Sequence, residues 1–444
     1  MSVAQEPVNE QGVSLKRGAF SLRSFAGDAG LIVGGALLAN VFSFAYHFTV
    51  SRLLGPDRYG TLATLLAISS MVGVLGGSIG TVAMQETARL WALHLDAAIA
   101  PFVRRLARLA VVVGGLTAAG TLIVSLPISR YLHIVQPALW IIFAAFIGMA
   151  TVSSFVRGAV QGAHRFGLFA ASMSADGLCK LVIALALVRA GLGTAGAAGG
   201  LLAGAAIAGL IAFMPMLRLG AAAVEPVVGE HLRFGGESVK VLTVSAGTTA
   251  LMFVDMLFAK HHLSGVQAGY YGAAGTIARI IPYAVGVIAL VLMPKAAAAH
   301  HTSRESLSRL LTLTFGLGAA AAVIGVALTS GASGLLIGLS YGPKYLAAAP
   351  LLRLYGADAA LLGLVALGTA CLVALRDYSI APYLAAAVAV DAVAMAVWGT
   401  SATHLLTVAI AVNALLLPFV GVRIAAALRT APQAPSPLLA EVFS

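Results

Sequence analysis

The chain has 444 residues, of which 60% are hydrophobic and only 10% charged, with a mean hydropathy of +0.97 and a formal charge of +11. Soluble domains carry about 25% charged residues, so this composition excludes an ordinary soluble enzyme and places the chain in lipid. The basic excess comes without a basic and aromatic constellation, which speaks against nucleic acid and for attraction to anionic lipid head groups.

In chain order, residues 1–27 read as a basic cytoplasmic tail on the inner leaflet, with Phe20, Leu22 and Phe25 among Lys16, Arg17 and Arg23. A membrane span needs about 20 apolar residues. Twelve such stretches follow, at 28–51, 60–85, 107–127, 136–157, 167–189, 192–216, 239–260, 269–293, 309–330, 346–373, 380–399 and 403–426. Between the second and third, Glu86 to Arg108 alternates Leu90, Trp91 and Leu93 with Arg89, Arg104 and Arg105, the pattern of an interfacial helix. Residues 219–236, richer in charge, Pro and Gly, divide an N-lobe (28–218) from a C-lobe (237–428). The ninth and tenth spans have the least defined limits, because the apolar run continues through Leu335 to Leu339 before the turn at Tyr341-Gly342-Pro343. Residues 429–444, with Pro432, Pro435 and Pro437, form a C-terminal tail.

The basic residues orient the chain. With both termini inside, eighteen Lys and Arg lie on the cytoplasmic side, six on the other side and three (Lys180, Arg279 and Arg353) within spans, a clear positive-inside bias. Two soluble-protein readings fail. Gly191 to Gly196 satisfies G-x-G-x-x-G, but no strand precedes it; Gly196, Gly200, Gly204 and Ala208 instead put small residues on one helix face, where another helix can approach. Cys179 and Cys371 lie in predicted spans and suggest neither a disulfide nor a metal site.

Leu53-Leu54-Gly55-Pro56-Asp57-Arg58-Tyr59-Gly60 has a counterpart in Leu263-Ser264-Gly265 to Gly269-Tyr270-Tyr271-Gly272. The two Tyr-Gly anchors are 212 residues apart, and the charged turns at Arg165 and Arg376 are 211 apart. A constant offset near half the chain implies two equivalent halves, the trace of a transporter built from repeats around a central site. Gly55, Pro56 and Gly60 suit a helix end followed by a helix start, and Tyr59 and Tyr271 suit interfacial anchoring.

The segment from Ser51 to Gly60 resembles the first-span exit of the Wzx-type oligosaccharide-lipid flippases, members of the multidrug/oligosaccharidyl-lipid/polysaccharide (MOP) exporter superfamily. Arg157 to Phe166 is similar to that family's fourth loop, Asp255 to Gly272 to its seventh-span exit, and Leu292-Met293-Pro294-Lys295 to the end of its eighth span. Tyr341 to Tyr345, followed by Pro350-Leu351-Leu352-Arg353, is similar to the turn before its tenth. The resemblance covers most of residues 30–425. It implies an all-α polytopic protein of about twelve helices, in two pseudo-symmetric six-helix lobes around a V-shaped cavity (MOP/MATE-like). It also implies a non-enzymatic flippase that moves a polyprenyl diphosphate-linked oligosaccharide across the bacterial inner membrane, beside polysaccharide polymerases and glycosyltransferases. No cofactor is implied beyond coupling to H+, Na+ or the membrane potential.

Ionisable groups at bilayer depth are functional candidates, since each costs at least about 2.5–3.5 kcal/mol to place there. Arg279, three residues before Pro282, leads them. A guanidinium grips a diphosphate through parallel charge-assisted hydrogen bonds, so the resemblance implies a cationic cavity of Arg279, Arg52 and Arg353; the alternative is a structural pair of Arg279 with Asp255. Asp255 and Asp391 have no opposite charge one helical turn away and are ion-coupling candidates. Asp176 and Lys180 are spaced i,i+4 and can neutralise each other; Asp28, His47 and His404 lie nearer helix ends. Two other classes stay open: a cation-coupled multidrug or metabolite antiporter of the same superfamily, and a non-transporting scaffold of a polysaccharide assembly complex.

Overall fold

The computed structural model describes residues 22–93, 96–217, 236–289, 292 and 304–430. The expected tail before residue 22, the linker from 219, the eighth-span end at Pro294 and the C-terminal tail after Thr430 lie outside the described residues.

The described residues form ten apolar helical stretches long enough to span a bilayer, two of them far too long to cross it once: Gly30–Ala92 with 63 residues and Phe166–Met216 with 51. At 1.5 Å per residue these would run roughly 95 and 75 Å if straight, against a hydrocarbon core of about 30 Å. Each is divided by glycine in a left-handed conformation, at Gly55 (φ 74°) in the first and at Gly191 (φ 91°) and Gly193 (φ 53°) in the second. A side chain at those dihedrals is strained, so glycine permits the reversals, and the count becomes the expected twelve spans. Pro56, placed where a helix start loses no hydrogen bond, restarts the second arm after Gly55.

Numbered in order, the helices are α1 (Leu22–Ala92), α2 (Asp96–Tyr131), α3 (Pro137–Gly162), α4 (Phe166–Leu187), α5 (Gly193–Leu217) and α6 (Gly236–His262). There follow α7 (Gly265–Ala278, helical again over 280–289), α8 (Arg304–Gly331), α9 (Ser333–Tyr341), α10 (Ala349–Ala374), α11 (Ala381–Trp398) and α12 (Ala402–Thr430). The apolar run around Leu335 is thus the short α9, closed by Gly342 at φ 90° and a 3-10 turn over Pro343–Ala348. The expected interfacial helix at Glu86–Arg108 is not a separate element: its first part finishes α1 and its second begins α2, because apolar residues at those helix ends continue the packing of the spans.

Close glycine contacts give the directions. Gly35 lies against Ala170, and Gly177 against Ala39 and Phe42, so the first arm of α1 runs parallel to α4. Gly76 lies against Thr151, and Gly162 against Met84, so the second arm runs parallel to α3. The Gly55 bend therefore turns the chain back across the bilayer. We call this side the turn face and the opposite side, where both described chain ends lie, the terminal face.

The duplication has a structural counterpart. His164 (φ 55°) and Arg376 (φ 58°) are 212 residues apart and both left-handed. Around His164, the N–H groups of Ala163, His164 and Arg165 donate to the carbonyls of Ala159, Gln161 and Val160. Around Arg376, the N–H groups of Leu375, Arg376 and Asp377 donate to those of Cys371, Val373 and Leu372. Every donor and acceptor is displaced by the same 212 residues. In the second copy, partial burial works to raise the Asp377 carboxyl, but hydrogen bonds from Ser379 and Arg423 outweigh it and hold the group below the usual carboxylate range.

Three apolar clusters set the lobes' arrangement. One belongs to the N-lobe alone (Ala83, Leu90, Phe102, Phe155, Met216) and one to the C-lobe alone (Val244, Leu307, Leu372, Ile424), both towards the terminal face. The largest is shared by both lobes and lies towards the turn face, with Tyr46, Tyr59 and Leu62 packed with Tyr271, Tyr341 and Tyr345. Among the described residues, the lobes share a core at one face and keep separate cores at the other.

Small residues allow this packing. A Cβ on Gly158 would fall 2.1 Å from the Gly80 carbonyl oxygen, whereas one on Gly115 would meet nothing within 4 Å. Gly158→Val is expected to cost at least the 1–3 kcal/mol typical of overpacking, and Gly115→Ala to leave stability unchanged or slightly raised; thermal unfolding in detergent reads both.

Candidate functional site

Pro282 has no N–H to give Ala278 and its ring clashes with that carbonyl, so α7 breaks at Arg279 before resuming. The break aims the Arg279 side chain into the C-lobe, where it is 8% exposed. Nη2 lies 3.0 Å from Asp255 Oδ1 and donates to the Tyr355 hydroxyl at 2.7 Å, while Nε donates to the Met252 carbonyl at 2.9 Å. The guanidinium also stacks over Phe253, 4.6 Å from the ring centre. Asp255 accepts from Tyr271 at 3.0 Å and from Tyr355. Each charge thus meets an opposite charge and further hydrogen bonds, the condition for keeping an ion pair away from water.

Beyond this knot lies a second polar group. Asn413 of α12 donates to Asp358 Oδ1 of α10 at 2.9 Å. Asp391 of α11 is 1% exposed and within electrostatic reach of both Asp255 and Asp358. Asp391 Oδ1 and Asn413 Oδ1 are buried with no hydrogen-bond partner. A buried acceptor left unpaired costs roughly 1–3 kcal/mol, so two of them beside a second carboxylate form a site suited to a cation or a proton.

The N-lobe carries the opposite balance. Lys180 Nζ donates to Ser43 Oγ at 2.7 Å, and Arg157 Nη1 lies 3.6 Å from Asp176 Oδ2. Two cations here face one carboxylate, and His47, one turn after Ser43 on α1, is within electrostatic reach of Lys180 and Arg279. The expected Asp176–Lys180 pairing is shared rather than exclusive: Asp176 lies within electrostatic reach of Lys180 on its own helix, while α3, packed beside α4, presents the Arg157 guanidinium at ion-pair distance and the Lys180 amine donates to Ser43 on α1.

At the turn face the lobes are held by a tyrosine cluster. The Tyr59 hydroxyl lies 3.0 Å from that of Tyr341, 3.3 Å from Thr276 Oγ1 and 3.1 Å from His47 Nδ1. Tyr345 donates to the Ser51 carbonyl at 2.9 Å, and Arg52 donates to that of Leu339. The duplicated motifs are in contact here, since a Cβ on Gly60 would fall 2.8 Å from the Gly269 nitrogen and one on Gly272 2.7 Å from the Ala63 Cβ. His261 stacks on Tyr131 at 3.8 Å and completes the seam.

The three arginines expected to share a cavity are placed apart. Arg279 is in the C-lobe knot, Arg52 at the seam, and Arg353 donates to Ser333 Oγ at 3.2 Å near the base of α9. Of the ion-coupling candidates, Asp255 is consumed by Arg279 and Asp391 has an open acceptor. Tyr271 is a hydrogen-bond donor to Asp255 rather than an interfacial anchor, and Tyr59 is 0% exposed within the seam. His404 faces Thr400 at an exposed turn, and the side chain of Asp28 lies outside those described. Sequence reasoning misses Asp358, Asn413 and Tyr355. Asp358 carries the signal that marks Asp255 and Asp391, a carboxylate inside an apolar run; Asn413 and Tyr355 carry none, since neutral polar residues are common in spans.

No protein-family model matches the chain, and no curated protein matches it in sequence. Solved structures do. An inward-facing multidrug resistance MATE family transporter of the MOP superfamily aligns with a TM-score of 0.71 at 14% identity, over 88% of this chain and 96% of that one. The chain has the MATE fold. An outward-facing MATE transporter aligns at 0.60 (14% identity, 91% and 95% of the two chains). A MOP superfamily transporter from Pyrococcus furiosus, whose reversed pocket polarity suggests a different function, aligns at 0.59 (14% identity, 90% and 95%).

The C-lobe knot gives a sharp test. Asp255→Asn or Arg279→Met alone strands a buried charge and should each cost about 3–5 kcal/mol. The double variant should cost less than the sum of the two; a thermal-stability cycle in detergent measures the difference.

Proposed function

We propose that this chain exports an anionic, lipid-linked substrate, a polyprenyl diphosphate-linked oligosaccharide, across the bacterial cytoplasmic membrane by alternating access. The observation that carries the reading is the N-lobe interior, where Lys180 and Arg157 outnumber Asp176. With the termini cytoplasmic, as the positive-inside bias indicates, the turn face is external, and the seam around Tyr59 shuts the cavity on that side. The glycan and diphosphate enter from the terminal face, between lobes that keep separate cores there, while the lipid tail stays in the bilayer. Arg279, already compensated by Asp255, contributes field rather than first contact. Arg52 and Arg353 lie at the closed end, where they meet the substrate as the lobes part. No covalent chemistry is required, and polymerases and glycosyltransferases are the partners this substrate implies.

In a bacterium deleted for its own flippase, wild type is expected to restore surface glycan. Lys180→Met at matched membrane level should accumulate the lipid-linked intermediate, and Lys180→Arg should retain export. Losing one charge-assisted contact of about 1.5–3 kcal/mol corresponds to roughly a 10- to 150-fold loss of affinity. Equal export by Lys180→Met and wild type defeats the assignment.

The C-lobe carboxylates supply the coupling in this reading, with Asp391 and Asp358 taking H+ or Na+ at the open acceptors. In proteoliposomes, an imposed proton or sodium gradient should accelerate wild-type transport and leave Asp391→Asn at the gradient-independent rate. A second reading, a cation-coupled multidrug antiporter, is favoured by the fold shared with multidrug resistance transporters. It predicts drug tolerance without glycan export in the same bacterium, with Lys180→Met unimpaired.

A further inference from the structure

A groove of about 960 Å³ opens on the outer surface of the N-lobe between the end of α2 and the start of α3, near the turn face. Its walls are apolar and exposed: Ile123 is 68% exposed, Leu126 72%, Val135 85% and Ile141 60%. One end is polar. Arg130 and Ser129 line it, and no described carboxylate pairs with Arg130. Pro127, also in the lining, has no N–H to offer the carbonyl of Ile123, so the groove wall carries a backbone acceptor short of its usual helical donor. The α3 start, with Pro137 in the lining and no side-chain cap at Gln136, lies on the same side.

We propose that this groove is a binding site for one anionic glycerophospholipid of the turn-face leaflet. Its phosphate pairs with the Arg130 guanidinium, and an acyl chain lies along Leu122, Ile123, Leu126, Val135 and Ile141. Charge complementarity selects the occupant: the only charged group in the lining is a cation, and a phosphodiester matches it where a zwitterionic head group would bring a second, repelled cation. Placement gives the site a consequence. Arg130 adjoins Tyr131, whose ring stacks on His261 and whose carbonyl is bonded by His261 Nδ1 at 2.7 Å. The same connection anchors inward through Leu132 and Ile134, the latter accepting from Trp140 Nε1 at 3.1 Å. A lipid held at Arg130 therefore steadies the connection through which the N-lobe touches the C-lobe, and favours the state closed at the turn face.

The test uses the purified full chain in a neutral detergent, with native mass spectrometry counting retained lipids and thermal unfolding as a second readout. The probes are dioleoyl phosphatidylglycerol, dioleoyl phosphatidylcholine and a polyprenyl monophosphate. Wild type is expected to retain one phosphatidylglycerol with at least tenfold preference over phosphatidylcholine and to unfold at a higher temperature with it. Arg130→Gln should lose the preference but keep its fold. Leu126→Trp, which fills the groove, should lose the bound lipid, and Arg189→Gln, an exposed cation near the same face, should behave as wild type. Equal retention of the two phospholipids by wild type overturns the proposal, as does unchanged retention in both Arg130→Gln and Leu126→Trp. Preferential retention of the polyprenyl monophosphate, sensitive to Leu126→Trp, also overturns it and makes the groove a berth for the tail of a lipid-linked substrate.

Discussion

A guanidinium at bilayer depth must have a counter-charge, and much of the C-lobe follows from meeting that requirement. Arg279 is supplied from three helices: Asp255 and Met252 from α6, its own broken α7, and Tyr355 from α10. The break at Pro282 is what lets one side chain reach all of them. Because each group in the knot is satisfied by another element, none of the three helices can slide without stranding a charge. The knot therefore ties α6, α7 and α10 to one another within the C-lobe.

That seam is held differently. Tyr59, Tyr341, Tyr345, Thr276 and His47 exchange hydroxyl and imidazole contacts, and glycines of the two copies touch. Neutral hydrogen bonds contribute only about 0.5–1.5 kcal/mol each. A contact made of several such bonds over small residues is weaker per contact than the ionic knot of the C-lobe. The division of labour between an ionic knot inside a lobe and a neutral seam between lobes suits the alternating access proposed above.

Sequence made the architecture legible because hydropathy and repetition are local properties. The Tyr59 and Tyr271 offset finds the duplication, and His164 and Arg376 turn with identical hydrogen bonding at the same spacing. Pairing was less legible, since it depends on which helices become neighbours. Asp176 and Lys180 share a helix face and remain within electrostatic reach, yet tertiary partners join them: Arg157 from α3 at the carboxylate, and Ser43 from α1, 137 residues away, at the amine. The three arginines grouped by family resemblance are spread by the fold across the knot, the seam and the base of α9. Asn413 gave no signal, because an amide in a span acquires meaning only when Asp358 lies opposite.

Repetition of the backbone has not brought repetition of charge. In the C-lobe, Asp255, Asp358 and Asp391 outnumber Arg279; in the N-lobe, Lys180 and Arg157 outnumber Asp176. If the two halves bound the same species, selection on one site would apply to its mate and the polarities would agree. Opposite polarities in lobes that share a turn to the last hydrogen bond are what the proposed reading, with a different ligand for each interior, requires. A cationic interior suits an anionic cargo, and an acidic interior with two unpaired acceptors suits a driving ion. On the proposed reading, keeping the two apart would also keep the cargo's phosphates from competing for the ion.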